Sequence, residues 1–475
     1  GHGPFAGNQG AVGGCRAIED AGPKDFHKSR FGGNARHAAS ERRAQQAEDR
    51  FLHSGTGLVD GRIEPTLAGV SRVGRGSLWG VSPTGKSGKM KNMNVPDEKN
   101  MSAPLRVVIN ATHSKSGGGV TYLRNILPHL AAMPELELHL LLHKDQFELF
   151  YPISENVNVI LTNFRPGFFR TLIWEQLAVP LHAWGMGADV VYSPANYGPI
   201  FARNHVISLS NAVSVIQFTR KLRPIFYWMA LTFATFISLS TAKKAIAVSG
   251  YMKRLLTFGG LSKKTSVIAH SVRAVAADRM HDAQPGNDIL AVSDIYIQKN
   301  YHTLLRAHAI LIRKFPELKL VIAGREIDHA YAENVRKLTR ELGLEGNVVF
   351  LGHVETEQLL ELYRSCRVFV FPSLIESFGM PLLEAMAVGA PIACSNTAAM
   401  PEVLGDTGVY FDPKDKKEMA AKIEGLLTNE KLCAELGKNA AQRAHLFSWA
   451  DAARQTCDVL REAAEPRGQT PRQVR

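Results

Sequence analysis

Cysteine is scarce in this chain: five in 475 residues, at positions 15, 366, 394, 433 and 457, with no C-x-x-C pair and no Cys/His cluster. That spacing argues against a zinc site or a disulfide framework and fits a reducing compartment. Methionine is absent before Met90, and residues 1–100 lack any sustained apolar period of 2 or 3.6. This stretch holds 18 of the 40 glycines and carries 15 Lys/Arg against 10 Asp/Glu. It cannot bury enough apolar surface to offset chain entropy, so residues 1–100 are expected to be disordered. With Met93 and Met101 following, translation is expected to start between Met90 and Met101. The upstream part is then either non-native or an authentic disordered extension. No basic-apolar-small leader pattern follows either start. Also missing are a helix-turn-helix, a zinc finger, an aromatic stacking motif for nucleic acid, and a D-x-D in a metal-binding context.

One short pattern invites a nucleotide-binding reading and fails on its context. "GVSPTGKS", residues 80–87, matches the phosphate-loop pattern G-x-x-x-x-G-K-[ST]. A working phosphate loop needs a buried strand feeding it and an amphipathic helix leaving it, because the helix N-terminus binds the phosphate. "GRGSLW" enters and "SGKMKNMNVPDEKN" leaves, and neither qualifies. The match at Lys86 is a chance one.

From Leu105 onward, short apolar runs alternate with helix-length amphipathic segments. "LRVVINA", "ELHLLLH", "NVNVILT", "DVVYSP" and "HVISLS" form a first series, continued by "KKAIAVS" and "KTSVIAH". "DILAVS", "LKLVIAG", "NVVFLG", "VFVFPS", "APIACS" and "GVYFD" form a second, with helices expected over 301–314 and 330–342. Strands this apolar indicate parallel sheets covered on both faces. The fold class is therefore α/β, with two doubly wound, Rossmann-like domains facing a cleft. They are expected at 101–285 and 286–448, followed by a helix over 449–465 and a disordered tail over 466–475. The net charge of +12 suggests an anionic partner, and it is uneven. Residues 101–285 carry 18 Lys/Arg against 9 Asp/Glu, whereas 286–475 carry 23 against 25. The partner of the basic charge belongs with the first domain.

The chemistry concentrates in "RVFVFPSLIESFGMPLLEAMAVGAPIACS", residues 367–395. A strand should end at Phe371, a loop carry Glu376 to Gly379, and a helix start near Met380. Pro381 suits the first turn of that helix and Gly389 its end. Its N-terminus can attract a phosphate through free N–H groups and the helix dipole. Glu384, one turn in, can accept paired hydrogen bonds from vicinal hydroxyls such as those of a ribose. Glu376 can face whatever lies beyond the phosphates. The plainer alternative is that Glu384 complements the helix dipole and Glu376 is solvated.

Glu376-x7-Glu384 in this setting resembles the E-x7-E signature of retaining glycosyltransferases of the GT-B fold, of the class often called family 4. The resemblance covers about residues 105–460. It extends to "SGGGVTYL", "WEQLAVP", "AIAVSGYMKRLL", "QKNYHTLLRAH", "NVVFLGHVETEQLLELYRSC", "MPEVLGDTGVYFDP" and "FSWADAA", in the same order. It implies that Glu384 holds the ribose of a nucleotide sugar and that Glu376 contacts the transferred sugar. The backbones of Phe378, Gly379 and Met380 would meet sugar and diphosphate, and Lys299 would neutralise the departing diphosphate. The second domain would bind the donor and the first the acceptor. Gly117, Gly118 and Gly119 would form a facing loop near the phosphates or the acceptor, unless they only make a tight turn. No cofactor or catalytic metal is implied. The acceptor would be a glycan or a lipid-linked saccharide, with no nucleic acid as partner.

The chain departs from the family pattern at three places. Where relatives often read Gly-Arg before the lysine it has Ser293 and Asp294, which leaves Lys299 alone or with Arg325. Asn211 stands where a histidine is common, and it is carried as an acceptor-side candidate. His270-Ser271 replaces a usual Asn-Gly. The uncharged stretch 224–242 lies between Arg220, Lys221, Arg223 and Lys243, Lys244. It reads as a buried helix, as a helix lying in an anionic bilayer interface, or as a span. A cytoplasmic location, peripheral on the inner face of the plasma membrane, follows from the second reading. A sugar-nucleotide epimerase of the same architecture and a basic nucleic-acid-binding protein are the rivals.

Overall fold

The computed structural model describes residues 103–115, 117–164, 167–211, 222–272 and 286–465. The expectations for residues 1–100, for the boundary at 285 and for the tail 466–475 lie outside these.

Two parallel sheets account for the apolar runs. In the first, β1 (Leu105–Asn110), β2 (Leu136–His143), β3 (Val157–Thr162), β4 (Val190–Ser193), β5 (His205–Leu209), β6 (Lys244–Ala247) and β7 (Thr265–Val267) are ordered β3-β2-β1-β4-β5-β6-β7. In the second, β8 (Ile289–Val292), β9 (Leu320–Ala323), β10 (Val348–Gly352), β11 (Val368–Phe371), β12 (Ile392–Ser395) and β13 (Val409–Phe411) are ordered β10-β9-β8-β11-β12-β13. β4, β5, β8, β11 and β12 are buried along their whole length, because helices cover both of their faces. In each sheet the order reverses once, between β1 and β4 and between β8 and β11. Ligands of open α/β sheets bind beyond the carboxyl ends of the strands at such a switch point.

Helix Phe168–Gly185 crosses from β3 to β4. Its Val179 and Ala183 pack on Val108 and Val191. Helix Leu222–Thr241 buries Leu239 against Ile207. Ser193 pairs with Ile207 in register, so Val191 and Ile207 share a face and both helices cover it. Helix Gly118–Ala131 covers the other face with Leu123, Ile126 and Leu130. The chain then returns: helix Trp449–Ala464 buries Trp449, Ala453 and Leu460 in the first domain's core, beside Ile109 and Val206. The helix expected at the C-terminus therefore belongs by packing to the first sheet.

The carboxyl ends of the sheets face each other. Ser249, just after β6, caps helix Gly250–Leu256 by accepting from Met252 N at 3.1 Å. Its hydroxyl donates to the Ser377 carbonyl in the loop after β11, at 2.7 Å. Glu402 of the second domain accepts from the amides of Gly250 and Tyr251, a carboxylate at a helix N-terminus where the dipole favours it.

Candidate active site

The loops after β8 and β11 flank the second switch point and bring two candidates into contact. Lys299 ends the short turn Ile297–Lys299, and Asn300 after it is left-handed, with φ 59°. Asn300 fixes this loop by donating from Nδ2 to the carbonyls of Pro372 at 3.0 Å and Pro413 at 2.7 Å. Leu374 N donates to the Gln298 carbonyl at 2.8 Å, tying the second loop to the first. Lys299 Nζ then lies 2.6 Å from Glu376 Oε1, with side chains only 9% and 15% exposed. The ammonium is 5.2 Å from the centre of the Tyr296 ring and 5.9 Å from that of Phe371. Burial pulls the Lys299 pKa down, but the Glu376 carboxylate and Tyr296 outweigh it and hold it above the ordinary lysine value. Burial pushes the Tyr296 hydroxyl up, with Lys299 opposing. The site therefore holds a charged lysine at neutral pH, paired with a carboxylate.

Helix Met380–Ala387 begins after Gly379, whose φ of 101° is a conformation that other residues rarely adopt. Pro381 occupies the first turn. Phe378 is buried against His270, ring centres 5.5 Å apart, and Phe447. Glu384 lies on this helix and accepts from the Tyr363 hydroxyl at 2.9 Å. Burial raises the Glu384 pKa, and the tyrosine hydrogen bond opposes the rise. One carboxylate oxygen is thus oriented by Tyr363, a partner on helix Thr356–Ser365 that sequence reading did not single out.

The remaining candidates lie on other loops and helices. Gly117 is left-handed at φ 62° and precedes helix Gly118–Ala131, so Gly118 and Gly119 form its first turn rather than a loop. A Cβ at Gly118 would meet nothing within 4 Å, while one at Gly119 would meet Ser114 Oγ at 3.3 Å. The fold therefore does not itself demand glycine at 118. Asn211 is exposed, and its backbone is held by Asn196, which accepts from Asn211 N and donates to Asn211 O, each at 2.8 Å. Arg325 is engaged by Asp294 through Nε at 3.2 Å and Nη2 at 2.9 Å. Asp294 thus occupies the guanidinium, and of the two cations considered it is Lys299 that meets Glu376. His270 is stacked on Tyr122 at 5.0 Å, and burial lowers its pKa to about 4.

Residues 280–443, which contain Lys299, Glu376 and Glu384, match the family model "Glycosyl transferases group 1". The chain is 30% identical over 220 residues to the serotype-specific mannosyltransferase WbdA of Escherichia coli, covering 46% of this chain and 27% of that protein. Against the O-antigen chain mannosyltransferase RfbU of Salmonella typhimurium it is 25% identical over 293 residues, 60% of this chain and 79% of the relative. The chain spans about a quarter of the length of the WbdA proteins it matches. Among solved structures, Anabaena HepE in complex with UDP and glucose superposes with a TM-score of 0.59 at 17% identity, covering 75% of this chain and 99% of that one. At that identity the likeness bears on fold, and the fold is GT-B.

Proposed function

We propose that this protein is a retaining glycosyltransferase of the family 4 type, moving a hexose from a nucleotide diphosphate donor to a hydroxyl of a lipid-linked or polysaccharide acceptor. The observation that carries the reading is the grouping of Lys299 and Glu376 at the β8/β11 switch point, next to the N-terminus of the helix that carries Glu384. A diphosphate leaving group needs cations and N–H dipoles in a water-poor site, and Lys299 with the amides of helix Met380–Ala387 supplies both. The Glu376 carboxylate keeps Lys299 charged and in place before the donor arrives. Glu384, with one oxygen held by Tyr363, offers a fixed acceptor for ribose hydroxyls. Phe378, Gly379 and Met380 present backbone to the sugar and diphosphate, and open space over Gly118 leaves room for a ligand from the first domain. Retention means that the bond from C1 to the diphosphate breaks while the acceptor oxygen joins C1 on the same face, its proton passing to the departing diphosphate. No catalytic metal or other cofactor takes part in this reading, so transfer should survive chelation by EDTA. The names of the mannosyltransferase relatives and the HepE complex with UDP and glucose support GDP-mannose and UDP-glucose as first donors to try. A proton NMR spectrum of the glycoside formed should show the donor's anomeric configuration, and inversion would contradict the assignment.

The partner of the first domain's charge is proposed to be an anionic bilayer on the cytoplasmic side, met peripherally. Among the described residues no helix is long and apolar enough to cross a membrane. Two helices on one face of the first sheet nevertheless expose apolar stripes at helical spacing: Ile173, Leu177, Leu181 and Trp184 on one, Met229, Phe233 and Phe236 on the other. Arg170 lines an open groove of about 610 Å³ beside the first stripe, with Trp174 and Leu177. Apolar area flanked by basic charge fits the interface of an anionic membrane. Binding to phosphatidylglycerol vesicles should fall with salt and in Leu177→Ser/Trp184→Ser. Equal binding to neutral vesicles, or a concentration-dependent dimer that the same substitutions abolish, would remove the membrane reading.

A further inference from the structure

Helix Phe168–Gly185 carries a groove, and the direction of the helix says where the groove leads. The helix follows β3, so its first turn stands at the carboxyl edge of the first sheet, the edge that faces the second domain. Phe164, Arg170, Ile173, Trp174, Leu177 and Ala178 line an open space of about 610 Å³. Small-molecule sites usually measure about 300–1,000 Å³. Positions 170, 173, 174, 177 and 178 share one side of the helix and, at 1.5 Å per residue, cover about 12 Å of its length. Leu181 and Trp184, both largely exposed, continue that line towards the helix's far end. One wall is fixed: Phe164 stacks on Trp174, ring centres 4.4 Å apart, and its carbonyl accepts from His143 Nε2 at 2.9 Å. The buried His143 ring also meets the Phe164 ring edge to face at 4.9 Å. Charge marks the cleft end. Arg170 lies in the first turn, where the helix dipole disfavours a cation. That turn has no acidic residue and no side-chain cap, and Arg170 is exposed without an ion pair among the described residues.

We infer that this groove seats the hydrocarbon chain of the acceptor, a phosphate-bearing amphiphile whose phosphate meets Arg170 and whose saccharide points to the cleft. An apolar trough that starts at uncompensated positive charge has the chemistry of such a ligand. The guanidinium can bind a phosphate through paired, charge-assisted hydrogen bonds, and the free N–H groups of the helix's first turn add to the attraction. Ile173 and Trp174 then flank the first carbons, Leu177 and Ala178 the next, and the rest of the chain leaves past Leu181 and Trp184. The polarity of the helix sets the order: head at the carboxyl edge, where the second domain holds Lys299 and Glu376, and tail away from it. The inference rests on the proposed transfer to a lipid-linked acceptor. It goes beyond the bilayer contact by giving the groove to one chain of the acceptor itself rather than to bulk phospholipid.

Titration calorimetry of the full chain with dodecyl phosphate, kept below its micelle concentration, should show saturable binding of one molecule per chain. Ala178→Trp fills the groove while adding apolar area. It should weaken dodecyl phosphate at least tenfold and leave binding to phosphatidylglycerol vesicles at the wild-type level. Arg170→Gln should weaken dodecyl phosphate at least fivefold. Thermal stabilisation by GDP-mannose or UDP-glucose should be equal in wild type and both variants, which also verifies their folding. No saturable binding in the wild type, equal binding in wild type and Ala178→Trp, or inorganic phosphate binding as tightly as dodecyl phosphate would overturn the seat. A concentration-dependent dimer that Ala178→Trp abolishes would give the groove to a second copy of the chain and overturn it equally. Failure of both nucleotides to stabilise the wild type would instead strike the proposed function.

Discussion

Replacing Lys299 by methionine keeps the length of the side chain and removes its charge from a site that is nearly closed to water. The Glu376 carboxylate, 15% exposed and 2.6 Å from the lost ammonium, would then stand uncompensated. Breaking a buried pair from one side costs about 3–5 kcal/mol, because the stranded charge keeps its desolvation penalty without its partner. Replacing both members, as Lys299→Met/Glu376→Met, removes that penalty together with the attraction, and stability should return to within about 1 kcal/mol of wild type. The double-mutant cycle should therefore show a coupling of about 3 kcal/mol, measured by urea unfolding at pH 7. The deficit of the single variant should shrink as acid neutralises the stranded carboxylate. In wild type the raised Lys299 pKa adds stability that is complete below the unfolded lysine value of 10.5 and is lost only as pH climbs through the folded value. Between pH 6 and 9 the pair is therefore constant, and the cycle is clean there. Sugar transfer should separate from stability: both variants should lose tenfold or more, equivalent to about 1.4 kcal/mol or more, since neither has a cation for the diphosphate. Additive stabilities, or a double variant that transfers as wild type does, would refute the reasoning.

Buried histidines contribute to the acid limit, His205 and His308 among them. Burial lowers the pKa values of His205 and His308 from 6.5 to about 4, and His205 Nε2 and His308 Nδ1 have no hydrogen-bond partner to receive a new N–H. Their contribution is complete above the unfolded value of 6.5 and is lost as pH falls towards 4; at pH 5 the loss is about 2 kcal/mol for each. His308→Leu should flatten the stability profile between pH 7 and 5, and a wild-type profile already flat there would contradict this. Lys86→Ala should leave transfer unchanged, because the sequence on either side of the phosphate-loop pattern has neither the apolar run nor the amphipathic period that a working loop needs; loss of activity would show the dismissal of that motif to be mistaken.

The sequence makes strands and their order of appearance legible because their apolar runs are short, continuous and separated by glycine- and proline-bearing turns. It also locates helix Met380–Ala387, through Pro381 at its start and Gly389 after its end. What periodicity cannot give is the partner of an amphipathic face. The expected helix at Trp449 packs on the first sheet, and its sequence is equally compatible with the second. Contacts between distant residues are hidden for the same reason. Lys299 and Glu376 are 77 positions apart, and only the β8/β11 adjacency brings them together. Asp294 reads as a mere departure from Gly-Arg, yet it takes the Arg325 guanidinium for itself. The contact of Tyr363 with Glu384 is hidden likewise, since a tyrosine in a helix looks like any other until its burial is known.

The donor site itself is most directly tested by melting the wild type and Glu384→Ala with GDP-mannose and with UDP-glucose. A ligand that binds the folded state alone, at a hundred times its dissociation constant, stabilises by about 2.7 kcal/mol. Losing charge-assisted ribose contacts worth about 1.5–3 kcal/mol should lower affinity more than tenfold in Glu384→Ala. One of the two nucleotide sugars should raise the wild-type melting temperature and lose most of that effect in the variant. Stabilisation by neither, or an equal shift in wild type and Glu384→Ala, would contradict the assignment of the nucleotide-sugar site.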